Sequence, residues 1–506
     1  MRKVLLYICS VFILGGMTSC EDFLDKREDV GLTEDDIFRD YYSLRGFLDQ
    51  SFNQLENVMV MDNWENGRAF VGLFADEMAT TDNSSAVFTL HSGNWLSNAK
   101  SNKTFEIGNA GSTAISRSYK ALRINNRIIN DIDKAPLTPE QKNEILGQAY
   151  FYRSWFYFQI IKRYGGMPII DKVFEGGDDD IPRMTYHESH DWMMEDIQKA
   201  IYMLPDSWDD PNYGRPTKIG AMALKEWTQL FDASPLMQNN LNSTENKGYD
   251  TERAKSAAKS AYEVIRYMDG SKSAPYPYGL ASKEEYTNVF YFKYPPVHQP
   301  EYIWVKRQFP NAANQNQKRT IRTFWQYEDL AFGSGPDGNS MCCPSLNIVN
   351  MFDKKGADGI YYPIDDPRSG YALDYDHKPF EDRDPRFYNN ILLPGTTWGH
   401  YADGRTYYIT TYKGGAAYQH MLTQKDCNKR MFTGFMCKKF MWPECNQYLE
   451  KNNPNCWWDY RFLTIYIRAS QIYLDYAEAL FEGCGSATAT IEGLSLIHIS
   501  EPTRPY

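Results

Sequence analysis

The sequence lacks any apolar run of the ~18 residues that a membrane-spanning helix needs, which excludes a polytopic membrane protein. Positive charge is also in deficit. Lys and Arg number 54 against 65 Asp and Glu, giving a formal net charge of −11 and a pI near 5.4. Phosphate contact needs basic surface, so this balance argues against nucleic acid as a partner. None of the nine cysteines forms a C-x-x-C, which argues against zinc ribbons and thioredoxin-type redox chemistry. No G-x-S-x-G nucleophile turn occurs. Aromatic residues, by contrast, are abundant: 37 Tyr, 27 Phe and 12 Trp make up 15% of 506 residues, in a chain whose mean hydropathy is only −0.58. That content excludes intrinsic disorder. It also implies rings at surfaces and helix seams as well as in a core.

Three segments spell catalytic or metal motifs and fail on context. Gly333-Ser-Gly335-Pro-Asp-Gly338 matches G-x-G-x-x-G, yet Pro336 and Asp337 interrupt it and no strand-to-helix pattern surrounds it. His187-Glu188-Ser-His190 lacks the i, i+4 histidine pair of a zinc protease. Gly177-Asp178-Asp179-Asp180 lacks the alternating ligands of a calcium loop. No cofactor or metal is therefore expected. Acidic residues are too numerous for a glycosidase pair to be picked out.

Both ends carry signals of their own. Arg2-Lys3 precedes an apolar stretch from Val4 to Leu14, and small residues lead to Thr18-Ser19-Cys20. This is the layout of a signal peptide over residues 1–19, and it resembles a bacterial lipobox with Cys20 as the lipid attachment site. Met17 stands where Leu is usual. The following Glu21-Asp22-Phe23-Leu24-Asp25 resembles the acidic signal that sends Bacteroidota lipoproteins to the cell exterior. Residues 494–506, Leu494-Ser-Leu-Ile-His-Ile-Ser-Glu-Pro-Thr-Arg-Pro-Tyr506, resemble translated sequencing adapter. They are expected to be a non-native tail on a chain truncated near Gly493.

Between these ends, helical periodicity dominates residues 30–270. Ile145, Ala149, Tyr152, Phe156 and Ile160 define one helix, stopped by Gly165-Gly166 with Pro168 beyond. Thr185-x-x-Glu188 is a capping box for a helix through Ile197 and Ala200, and Thr217 caps another carrying Ile219, Ala223, Trp227 and Leu230. Ala254, Ala258, Ala261 and Ile265 line a further helix. Helical spacing returns over 461–482 with Ile465, Ala469, Ile472, Tyr476 and Ala479. The expected fold is mainly α, its helices reading as stacked hairpins of the tetratricopeptide kind; no clean 34-residue repeat is visible, and periodicity alone does not give a solenoid. Residues 271–460 are rich in Gly, Pro, Asn, Asp and Tyr. They are expected to form an irregular, ligand-binding half. At roughly 150 residues per domain the length allows about three domains, but the pattern favours one, over 20–493.

Taken in order, a set of motifs resembles the SusD/RagB family of outer-membrane nutrient-uptake lipoproteins. They include Ser118-Tyr-Lys-Ala-Leu-Arg-Ile-Asn125-Asn126, Gly147-Gln-Ala-Tyr-Phe-Tyr-Arg153-Ser-Trp155, Arg163-Tyr164-Gly165-Gly166-Met-Pro168 and Gly214-Arg215-Pro216-Thr217. Glu301-Tyr-Ile-Trp304, Asp382-Arg383-Asp384-Pro385-Arg386 and Arg468-Ala-Ser-Gln-Ile-Tyr-Leu-Asp-Tyr-Ala-Glu478 complete the series. The resemblance implies an alpha-alpha superhelix of tetratricopeptide-like helix pairs, lipid-anchored on the outer membrane and facing the cell exterior. It would capture oligosaccharides and deliver them to a partner SusC-like TonB-dependent transporter. Family members continue past Leu480 with a further helical segment that is not recognisable here.

Most of these motifs read as architecture. Sugar recognition instead needs flat rings to stack on pyranose faces, with amides and carboxylates to read hydroxyls. Asn94-Trp95, in the polar loop His91-Ser-Gly-Asn-Trp-Leu-Ser-Asn, fits best, with Asp82 upstream. The resemblance implies that this loop contributes to the glycan site. Trp325 and Tyr327 form a second candidate pair, and Trp64 and Trp398 are weaker ones. The expected function is glycan binding without catalysis. The alternatives are a surface glycoside hydrolase and a helical-repeat scaffold for peptide or protein.

Overall fold

The computed structural model describes residues 33–55, 75–79, 114–174, 180–238, 247–274, 276–290, 299–307, 343–371, 379–400, 406–415, 433–439, 463–487 and 489. Among them lie ten α-helices and five two-stranded ladders. The first seven helices are α1 (Glu34–Phe38), α2 (Tyr41–Gln54), α3 (Ala114–Asp131), α4 (Pro139–Tyr164), α5 (Tyr186–Met203), α6 (Lys218–Ala233) and α7 (Thr251–Gly270). Each packs on its sequence neighbour, α1 on α2 through to α6 on α7, as an array of antiparallel hairpins must. The mainly helical, hairpin-built fold expected from periodicity is what forms.

Local signals account for the helix ends. At α4, the Thr138 side chain accepts from the Gln141 backbone and the Gln141 side chain accepts from the Thr138 N–H, with Pro139 in the first turn. The helix stops at Gly165, whose φ of 77° suits a residue without Cβ. Gly166 follows because the chain runs against the start of α5. A Cβ there would meet the Met184 carbonyl oxygen at 2.2 Å. The Thr185/Glu188 box and the Thr217 cap both form. α4 is the central helix: Phe151, Tyr152, Trp155, Phe156, Tyr157 and Phe158 are all buried, so it is covered on every side.

After α7 the chain leaves the array and returns only at α10 (Ala469–Cys484), which packs along α7. Ala254, Ala257, Ala258 and Ala261 are fully buried on α7. Gly483 lies so close to α7 that a Cβ would meet the Lys255 backbone at 3.0 Å. Small residues allow this approach. The excursion is tied at its base by β2 (Tyr302–Arg307), which pairs antiparallel with β10 (Leu463–Arg468) immediately before α10. The helical reading of 461–482 therefore needs one correction: Ile465 sits opposite Val305 on a strand, and the helix begins at Ala469. Leu463-Thr-Ile-Tyr-Ile is rich in β-branched and aromatic residues, and an available partner edge decides the outcome. Glu301 fixes the junction. Its carbonyl accepts from the Ala469 N–H at 2.9 Å, and its carboxylate accepts from Ser470 at 2.9 Å and Arg468 at 3.1 Å.

Within the excursion, short ladders and turns surround a second, smaller core of Val349, Phe387, Ile391, Leu393 and Phe435. Arg383 is buried beside it. Its guanidinium donates to the carbonyls of Val349 (2.6 Å), Phe352 (2.6 Å) and Pro379 (3.1 Å) and lies 4.8 Å over the Phe387 ring. Asp384 caps the helix Pro385–Asn390 and holds Arg386 by two bonds of 2.9 and 2.6 Å. The Asp382–Arg386 motif is thus architectural. No helix among the described residues is long and apolar enough to cross a membrane.

Candidate functional site

The sequence-derived site residues Trp64, Asp82, Asn94, Trp95, Trp325 and Tyr327 lie outside the described residues, as does the lipid-attachment candidate Cys20. Trp398 falls on the strand Thr397–His400, which pairs with Thr406–Tyr408. What is described is how the flanks of the candidate loops are held.

The strand Met78–Ala79 pairs antiparallel with Cys343–Pro344. The Ser345 N–H donates to the Glu77 carbonyl at 2.9 Å, and its hydroxyl donates to the Asp76 carbonyl 269 residues away. Ser345 then caps the next helix by accepting from Ile348 N–H at 3.2 Å. One point in the molecule therefore joins the segment leading towards Asp82 and Asn94-Trp95 to the segment following Trp325 and Tyr327. Two-residue strands carry no periodic signal, so this meeting was invisible in the sequence.

Ring-lined openings flank β2 and α3. A small cavity of about 50 Å³ beneath β2 is lined by Trp208, Tyr276, Tyr278 and Tyr302, with Arg215 and Gln299 as polar members. Its rings are held rigidly. Trp208 donates to the Pro216 carbonyl at 2.8 Å, Trp304 to the Gly214 carbonyl at 3.2 Å and Tyr302 to the Val289 carbonyl at 2.7 Å. A larger cleft of about 370 Å³ lies between α3 and residues 168–174, lined by Tyr119, Phe174, Arg123, Asn126 and Lys172. Here Asn126 donates to the carbonyls of Ile170 and Lys172, both at 3.0 Å, so its amide is already engaged. Burial pushes the Lys306 amine down to about 8 while it donates to the Leu55 carbonyl at 2.9 Å. Lys439 is likewise pushed down to about 8 by burial, its ammonium 4.2 Å over the Phe290 ring.

The histidines of the 187–190 motif serve an ionic cluster. His187 Nδ1 lies 2.7 Å from Asp232, His190 Nδ1 lies 3.5 Å from the same carboxylate, and Arg253 pairs with it as well. No group of three or more metal-ligating side chains occurs among the described residues. Rings and amides are the groups that recognise a neutral polar ligand without covalent chemistry.

The fold so defined is an array of helix hairpins with a loop-rich excursion placed between its last two helices. Two family models match the sequence: "Starch-binding associating with outer membrane" over residues 22–226, and "SusD family" over residues 300–498. The chain belongs to the SusD/RagB family. Solved structures share the fold. A SusD-like protein from Bacteroides fragilis is 20% identical with a TM-score of 0.63, covering 90% of this chain and 78% of its own. A SusD-like carbohydrate-binding protein from the same species is 18% identical with a TM-score of 0.60, covering 88% and 75%. A structure obtained with xylogluco-oligosaccharide is 16% identical with a TM-score of 0.53, covering 86% and 71%. No curated protein matches the chain.

Proposed function

We propose that this protein is a cell-surface lipoprotein that binds oligosaccharides and delivers them to a SusC-like TonB-dependent transporter in the outer membrane. It is anchored through Cys20 after loss of residues 1–19 and faces the cell exterior, with 20–493 acting as one domain. Binding breaks no bond. The observation that carries the reading is the pairing of Met78–Ala79 with Cys343–Pro344. It supports two aromatic-bearing loops acting as one site, with Asp82, Asn94 and Trp95 on one and Trp325 and Tyr327 on the other. Trp64 precedes the first loop. Support for a sugar ligand comes from relatives described as carbohydrate-binding or solved with an oligosaccharide.

The test is calorimetry of the purified protein against a panel of oligosaccharides, with reducing ends assayed in the same mixtures. Binding without new reducing ends is expected. Release of product would establish the hydrolase alternative instead, and binding of peptides but no glycan would establish the scaffold.

A further inference from the structure

Where α6 meets the β10–α10 junction, a cavity of about 210 Å³ is lined by Glu226, Trp227, Tyr466, Gln471 and Asp475 among others. Glu226 is fully buried and Asp475 is 5% exposed. Neither carboxylate oxygen of Glu226 has a hydrogen-bond partner, and neither does Oδ2 of Asp475. The other oxygen, Oδ1 of Asp475, accepts from Gln471 Nε2 at 2.5 Å. Burial and the neighbouring Asp475 charge hold the Glu226 carboxyl well above its usual range, and burial pushes Asp475 up to about 6. Glu478 adds further negative potential to both.

Burial thus favours the protonated form at this pair, and acceptor oxygens face the cavity without donors, a costly state for buried groups. Lys225, next to Glu226 in sequence, is committed elsewhere, to Glu263 at 3.8 Å. The walls are aromatic and fixed. Trp227 packs on Trp155 at 5.8 Å, and Tyr466 packs on Trp304 at 4.6 Å. Trp227 already holds one ammonium against its ring, that of Lys162 at 5.2 Å.

We propose that this cavity binds an organic cation, a primary ammonium or guanidinium on a short apolar stem, with the Glu226–Asp475 pair accepting its N–H groups and Trp227 and Tyr466 flanking it. The volume equals that of about seven water molecules. It is below the ~300 Å³ at which drug-sized pockets begin, so a side-chain-sized cation fits. Entry of the cation ionises Glu226, and its proton passes to solvent. The site is independent of the glycan reading.

The experiment is calorimetry of the full chain with n-butylguanidine, its neutral counterpart n-butylurea and the tripeptide Gly-Arg-Gly, each in phosphate and in HEPES buffer at pH 7. n-Butylguanidine is expected to bind at least tenfold more tightly than n-butylurea, with heats differing between buffers by the release of one proton. Affinity is expected to fall at least tenfold in Glu226→Gln and in Asp475→Asn. Tighter binding of the tripeptide assigns the natural cation to a protein side chain, and weaker binding assigns it to a free amine. Equal affinity for n-butylurea, no n-butylguanidine binding at millimolar concentration, or unchanged affinity in Glu226→Gln would overturn the proposal. The proton count on the wild-type protein decides the matter even where a variant fails to fold.

Discussion

Trp304 of β2 meets Trp155 of α4 edge to face, their ring centroids 4.7 Å apart. Phe151 makes the same contact with Trp304 one turn earlier on α4, also at 4.7 Å. This is where the base of the loop-rich excursion is seated on the helix array. Trp304→Ala is expected to destabilise the protein by about 3–5 kcal/mol, the cost of an unfilled buried aromatic site, with Trp304→Phe milder. Denaturant unfolding followed by circular dichroism checks this. A midpoint shift equal to that of an exposed control such as Tyr202→Ala would refute it.

Arg153 and Asp196 form a buried bidentate pair, with Nε and Nη2 donating at 2.6 and 2.8 Å, and Arg153 Nη1 reaches Asn126 at 3.0 Å. Replacing Asp196 with Ala leaves a buried guanidinium without its counter-ion. A loss of about 3–5 kcal/mol is expected. Replacing both partners by apolar residues should recover much of that loss. A double-mutant cycle measures both quantities.

Asp475 supplies a pH signature. Its carboxyl is raised to about 6 in the folded protein from an ordinary 3.8, so the folded state binds the proton more tightly than the unfolded chain. The associated stability is fully present below pH 4 and is lost as pH rises through about 6. Relative to Asp475→Asn, the wild type should lose stability across that window and not beyond it. Thermal unfolding of both proteins from pH 4 to 7 is the measurement, and parallel curves would count against the assignment.

Trp95 and Trp325 bear on the proposed glycan site. If both rings stack on sugar, each alanine substitution removes roughly 2 kcal/mol, about a 30-fold loss of affinity, as central aromatic anchors do. Melting temperatures measured alongside tell a lost contact from a lost fold. Calorimetry with the best oligosaccharide of the panel separates the two residues. Wild-type affinity in Trp95→Ala would remove it from the site.

The helix array was legible residue by residue. Thr185 and Thr217 announce helix starts, Gly165 announces a stop, and the alanines of α7 announce a close-packed face. These signals act within a few residues of one another, so the sequence carries them openly. The ladders were not legible. Glu301, Trp304 and Leu463–Arg468 matter through partners more than a hundred residues away, and Ile465 reads equally well as helix or strand until Val305 lies opposite it.

By itself, then, the sequence determined the helical class and the capped or glycine-stopped ends of α4, α5 and α6. Local hydrogen bonding and apolar periodicity decide those. Only the tertiary structure decided that α10 closes against α7, that Ser345 brings the segment at Glu77 to the segment following Tyr327, and that Glu226 and Asp475 share one cavity. Each of these depends on chain closure over long distances, where packing and buried charge choose among pairings that no local pattern ranks.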